Sequence, residues 1–146
     1  MTDIAANAAA YADYFARVSP DNVEELRTLC APDVRFRDPF NDVRGQDRIV
    51  RIFAQMFEDV ASPKFEIIDH AVSGSRSYIR WVFRFSNKKT GKPFSVDGMT
   101  EVHFDAAGRV SAHLDHWDVA SQLYEHVPVL GFILRKIRHR LALRPA

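Results

Sequence analysis

From residue 64 onward the chain changes its hydrophobic period, and that change limits the fold more than any other feature of its 146 residues. Upstream, apolar side chains recur at helical spacing. Ile4, Ala8, Tyr11, Phe15 and Val18 form one stripe, and Ile49, Ile52, Phe53, Met56, Phe57 and Val60 form another. Downstream the alternation is of period two. Ile79, Trp81, Phe83 and Phe85 share one face of a strand, with Tyr78, Arg80, Val82 and Arg84 on the other. Helices followed by a run of antiparallel strands predict an α+β domain.

The punctuation between these patterns sets the element order. Ser19-Pro20 predicts the start of a second helix carrying Val23, Leu26 and Leu29, closed by Pro32. A short strand follows over 33–38, then a polar loop over 41–45. The third helix ends at Ser62-Pro63. Strands are expected over 64–72, 77–86, 94–104 and 109–118. NKKTGKP, pivoting on Gly91, and the turn from Asp105 to Gly108 connect three of them. The tail is helical in pattern from Val119, interrupted at Pro128 and resumed as VLGFILRKIRHRLAL. The expected organisation is one domain over 1–127 and a basic amphipathic extension over 128–146.

Composition narrows the function. Eleven Phe and 47% hydrophobic residues supply a substantial core, while a formal net charge of +1 gives no reason to expect nucleic acid. A single cysteine, Cys30, rules out an intrachain disulfide and a Cys-rich metal site. No basic residue precedes Arg17, so the start does not read as a signal peptide. No apolar run approaches the about 20 residues that span a bilayer. A cytoplasmic location is the expectation.

Four features carry possible chemistry. In VRFRDPF, Val34, Phe36 and Asp38 alternate, so Asp38 faces where its apolar neighbours face. It is either the cap of an Asp-Pro turn or a carboxylate base in an apolar pocket, where burial would raise its pKa. In SAHLDHWDV, Ser111, His113, Asp115 and Trp117 share one face. A solvent-facing row accounts for the first three; an inward row accounts for Trp117 and makes Asp115 a pocket acid with His113 as partner. Tyr14 is a core-edge tyrosine or a hydroxyl donor to a developing oxyanion. His113-x-Asp115 offers only two local ligands, so no metal site is expected. The tail is a helix packed on the domain, or a contact to a partner or to an anionic membrane surface.

The order of elements, with Asp38 and the stretch Asp115-His-Trp-Asp118, resembles the nuclear transport factor two-like superfamily, which includes ketosteroid isomerase-like and SnoaL-like polyketide cyclase proteins. The resemblance covers roughly residues 5–127. It implies a cone: a strongly curved mixed sheet wrapped around N-terminal helices, with a deep apolar pocket. VRFRDPF looks like the isomerase segment bearing the catalytic base, at Asp38. Tyr14 falls on the oxyanion tyrosine, and Thr100 stands about where the isomerases carry a second oxyanion acid. Asp115 matches the acid of the SnoaL-like cyclases and is similar to one carboxylate of the epoxide hydrolases on this fold, although no arginine clearly fills their bridging place. The tail looks like an extension seen in a bacterial subgroup.

The resemblance therefore implies a pocket for a small apolar carbonyl compound, with isomerisation or aldol-type cyclisation and no cofactor. Epoxide hydrolase-like hydrolysis and a non-catalytic binding or dimerisation module are the alternatives. The candidate catalytic residues are Asp38, Asp115, Tyr14 and His113; the candidate substrate walls are Phe40, Phe53, Phe57, Thr100 and Trp117. A homodimer through the outer sheet face, at Tyr78, Arg80, Val82 and Arg84, is expected.

Overall fold

The two hydrophobic periods become two layers. The structure, a computed structural model, describes residues 2–145. Helix α1 (Ile4–Arg17) begins at Asp3, whose side chain accepts from the backbone N–H of Ala6 at 3.0 Å. It buries Ala8, Tyr11, Ala12, Tyr14 and Phe15. The expected second helix is much shorter than its pattern predicts. Asn22 folds back, accepting from the Ser19 N–H at 2.8 Å and donating to the Arg17 carbonyl at 3.0 Å. A tight turn over Val23–Glu25 then runs into α2 (Leu26–Leu29), a single helical turn that buries Leu26.

Strand β1 (Cys30–Arg37) starts before Pro32, not after it. Its ladder to the parallel neighbour is interrupted between Cys30 and Arg35, so the missing proline N–H costs no bond there. The expected polar loop contains an edge strand, β2 (Asp42–Arg44), paired antiparallel with β1. Its polar residues suit the exposed edge, and Asp42 accepts two bonds from Arg35 at 2.9 and 2.8 Å. Helix α3 (Gln46–Asp59) buries Ile49, Val50 and Phe53. Strand β3 (Val60–Ser73) follows at once. Ser62-Pro63 is therefore a bulge within a strand, with Ser62 at φ 51°, and not the break expected.

Strands β4 (Arg76–Asn87), β5 (Pro93–Phe104) and β6 (Val110–His116) complete one curved, unclosed sheet of order β2-β1-β6-β5-β4-β3. Only β1 and β6 run parallel; every other pair is antiparallel. The core lies between the sheet and helices α1 and α3. Inward faces match the sequence alternation: Ile79 and Trp81 are buried, and Phe83 and Phe85 pack partly buried behind them. A bulge between His103 and Phe104 resets the register of β6, so that Val110 and His113 both reach the interior.

After β6, Asp118 caps the short helix α4 (Val119–Gln122), accepting from Ala120 and Ser121 at 3.1 and 3.2 Å. Helix α5 (Leu130–Leu141) is fastened by one edge only. Gly131 lies so close to the Glu125 carbonyl that a Cβ would collide with it. Arg138 holds the Glu125 carboxylate at 2.7 and 3.1 Å, and Arg135 donates to its carbonyl. The apolar side of α5 remains exposed, with Ile133 and Ile137 about half accessible and Leu141 82% exposed. No helix among the described residues is long and apolar enough to cross a membrane.

Candidate functional site

Between α3 and the inner face of the sheet lies a cavity of about 200 Å³. β1 and its following turn bring Phe36, Asp38 and Phe40; α3 brings Ile52, Phe53 and Met56; β6 brings Asp115, with Trp117 just beyond it. Phe40, 56% exposed, meets Trp117 edge-on at 5.9 Å and marks the rim. Asp115 marks the inner end. It also lines a smaller space of about 20 Å³ behind it, with Phe15, Ile79, Thr100 and His113. That inner space has room for about one water molecule.

Asp115 is held by a chain of side chains running across the core. The Trp81 indole N–H donates to Thr100 Oγ1 at 2.8 Å, and the Thr100 hydroxyl donates to Asp115 Oδ1 at 2.5 Å. From the other side, His113 Nε2 reaches the same oxygen at 3.0 Å, and His113 Nδ1 meets the Tyr11 hydroxyl at 2.8 Å. Burial holds the Tyr11 phenol well above its ordinary pKa, so it remains a donor. Tyr11 and Asp115 thus hold one imidazole nitrogen each, which sets the orientation of the ring. Phe36 stacks on the His113 ring at 5.0 Å and fixes its plane. Both donors use Oδ1. Asp115 Oδ2 makes no hydrogen bond to the described residues, while the carboxyl lines the cavity.

Asp38 is held differently. Its Oδ1 accepts from the backbone N–H groups of Phe40 and Asn41 at 2.8 and 2.6 Å, and from Asn41 Nδ2 at 3.0 Å. Asn41 Nδ2 also reaches Oδ2 at 3.3 Å. Its carboxyl lines the mainly apolar outer cavity and is at the same time the acceptor of its own turn.

The structure thus brings Asp38, Asp115, Phe40, Phe53 and Trp117 to the outer cavity and His113 and Thr100 to the inner space. It does not bring Tyr14 or Phe57 to either. The Tyr14 hydroxyl points to the carbonyls of Asn22 and Val23, at 3.3 and 3.5 Å. Both α1 tyrosines are buried, and only the three-dimensional packing decides that Tyr11, one turn earlier, meets His113. Phe57 sits beside Phe53 in sequence stripe but not on the cavity, which Ile52 and Met56 line instead.

Sequence reasoning missed Tyr11, Trp81 and Gly98 as parts of the site. Gly98 pairs with Trp81 across β4 and β5, and a Cβ there would lie 2.7 to 2.8 Å from Trp81 and Trp117 atoms. That glycine makes room for the Trp81 indole and the Cβ of Trp117 beside the cavity. A glycine inside a strand pattern was the available signal. Among the described residues, no group of three His, Cys, Asp or Glu side chains is placed to hold a metal ion.

Residues 11–113 match the SnoaL-like domain model, which covers more than half of the chain; the chain belongs to that family. Solved structures share the fold. A hypothetical protein with ketosteroid isomerase-like fold from Catenulispora acidiphila, in complex with trimethylamine, superposes with a TM-score of 0.68 at 20% identity, covering 84% of this chain and 91% of that one. An NTF2-like protein of unknown function from Burkholderia pseudomallei gives 0.70 at 19% identity over 83% and 95%. An LEH-like epoxide hydrolase of M. tuberculosis gives 0.66 at 13% identity over 96% and 95%. No curated protein matches the chain.

Proposed function

We propose that this chain is a small-molecule pocket protein that carries out cofactor-free acid–base chemistry on a small carbonyl compound, with Asp115 as the base. The observation that carries the reading is the asymmetric holding of Asp115: two donors on Oδ1, none on Oδ2 among the described residues, at the inner end of a cavity. Oδ2 would take a proton from the carbon next to the carbonyl, and the electron pair would move onto the carbonyl oxygen. Return of the proton to another carbon of a conjugated compound isomerises it; attack of the enolate carbon on a second carbonyl closes a ring, and the proton held by Asp115 passes to the alkoxide so formed. His113 and Thr100 act as positioning residues, because both touch Asp115 rather than the outer cavity. The Asp38 carboxylate is committed to its turn, so it is the weaker candidate for base. Hydrolysis of the epoxide hydrolase type is disfavoured because no arginine lines either space.

The Catenulispora protein, in complex with trimethylamine, supports the view that this fold takes up small organic molecules. The test is proton exchange. A panel of small ketones and dicarbonyl compounds is incubated with the protein in deuterium oxide and followed by NMR. Protein-dependent loss of signal next to a carbonyl, absent in Asp115→Asn, is expected. Equal exchange by both proteins removes Asp115 as the base.

A second reading concerns assembly. The exposed apolar side of α5 favours a peripheral contact with an anionic membrane. Residues 127–146 hold five of the twenty Lys and Arg and none of the nineteen acids, so the tail is +5 and the rest of the chain −4. Co-sedimentation with phosphatidylglycerol vesicles, lost on phosphatidylcholine alone, is the expected result. We also propose a homodimer through Tyr78, Arg80, Val82 and Arg84 on the outer face of β4, which light scattering at micromolar concentration checks.

A further inference from the structure

The cavity carries charge that its own walls do not balance. Asp38 and Asp115 both line it, and no Lys, Arg or His side chain lines the outer space. His113 lies in the inner space and touches only Oδ1 of Asp115, so Oδ2 meets the outer cavity with no basic side chain beside it. The donors around Asp38 are neutral N–H groups. Two acidic side chains thus face one mainly apolar space whose described lining holds no basic side chain, an arrangement that a cationic ligand would complete.

The walls supply the other half of such a site. Trp81, Trp117, Phe36, Phe40, Phe65 and Phe83 line the same cavity. The faces of aromatic rings are electron-rich and attract ammonium groups, most strongly when water is excluded. Donors for a negative charge are scarce by comparison. The Thr100 hydroxyl, the His113 N–H and the Trp81 N–H are all engaged in holding Asp115. The Trp117 indole N–H is the one side-chain donor of the outer lining with no hydrogen bond among the described residues. A neutral carbonyl compound would find a base here but little to steady the charge growing on its oxygen. A compound that brings its own positive charge needs less from the protein.

We propose that the molecule bound in this cavity carries a protonated amine or quaternary ammonium group, seated between Asp38 and Asp115 against the aromatic walls. The proposal rests on the reading of the cavity as the ligand site and gives that ligand a chemical class.

The test compares probes of one shape and different charge by calorimetry on the full chain. Choline is set against its carbon isostere, in which a tert-butyl group replaces the trimethylammonium, and cyclohexanone serves as a neutral carbonyl probe. Choline is expected to bind about tenfold or more tightly than the isostere. Trp117→Leu and Asp115→Asn are each expected to reduce that preference while leaving the thermal transition cooperative. Equal or tighter binding of the isostere overturns the cationic class. If cyclohexanone binds in that case, the small-molecule site stands and only its charge preference falls. If no probe binds, both the proposal and the reading it rests on fail.

Discussion

Asp115 and Asp38 line the same cavity from neighbouring strands, β6 and the end of β1, and are restrained by different parts of the molecule. Asp38 is held by its own turn: the donors come from Phe40 and Asn41, two and three residues away. Asp115 is held by Thr100 across the sheet on β5 and by His113 two residues back on β6, and these two are themselves fixed by Trp81 of β4 and Tyr11 of α1. A local restraint uses the carboxylate as a structural acceptor and engages both oxygens. A tertiary restraint grips one oxygen and leaves the other to the cavity. The same residue type is thereby a piece of the turn in one place and a candidate reagent in the other.

Exchanging the two acids separately tests this contrast most strongly. Asp115→Asn is expected to lower proton exchange by about a hundredfold or more, the usual contribution of a positioned base. Asp38→Asn is expected to keep most of the exchange but to lose about 1 kcal/mol of stability in urea melts, because charge-assisted bonds to its turn are weakened. An Asp38 variant that is as stable as the parent and inactive would reverse the assignment.

Tyr11→Phe sharpens the comparison from behind Asp115. Without the phenol, Nδ1 of His113 loses its hydrogen-bond partner, and the imidazole is expected to sample both tautomers. Exchange is expected to fall about tenfold, equivalent to one lost hydrogen bond in the transition state. Nitrogen NMR of the imidazole should show one tautomer in the parent and a mixture in the variant. A purely structural tyrosine would change stability and leave the tautomer alone.

The smallest effect lies deeper. Burial pushes the Cys30 thiol from an ordinary 9.0 up to about 12, and holds Tyr11 above its ordinary value as well. Both groups are then more reluctant to lose a proton when folded than when unfolded. For Cys30 the unfolded chain releases its proton first, from about pH 9, while the folded chain keeps it until about pH 12. Stability should therefore be intact below pH 9 and decline across that window. Melts of the parent and of Cys30→Ala should show a shallower alkaline decline in the variant, and the native thiol should resist a thiol reagent at neutral pH.

Much of this protein was legible in its sequence, because the relevant physics is local. Period 3.6 placed α1 and α3, and period 2 placed β4, β5 and β6 and sorted the two faces of β4, since side-chain direction follows from the backbone alone. Where neighbours competed, pattern misled. Asn22 shortened the second helix, β2 formed from residues that read as a loop, and β3 ran through Ser62-Pro63 because a bulge absorbs them. Pattern also put His113 and Asp115 on one face but left that face undecided between solvent and interior. The tertiary structure turned it inward, brought Tyr11 and not Tyr14 to His113, and used Gly98 to make room for the Trp81 indole and the Cβ of Trp117. Tyr11 and His113 lie 102 residues apart, and Trp81 and Thr100 lie 19 apart on paired strands. Such contacts depend on how the sheet curves and where the helix settles on it, which no short stretch of sequence specifies by itself.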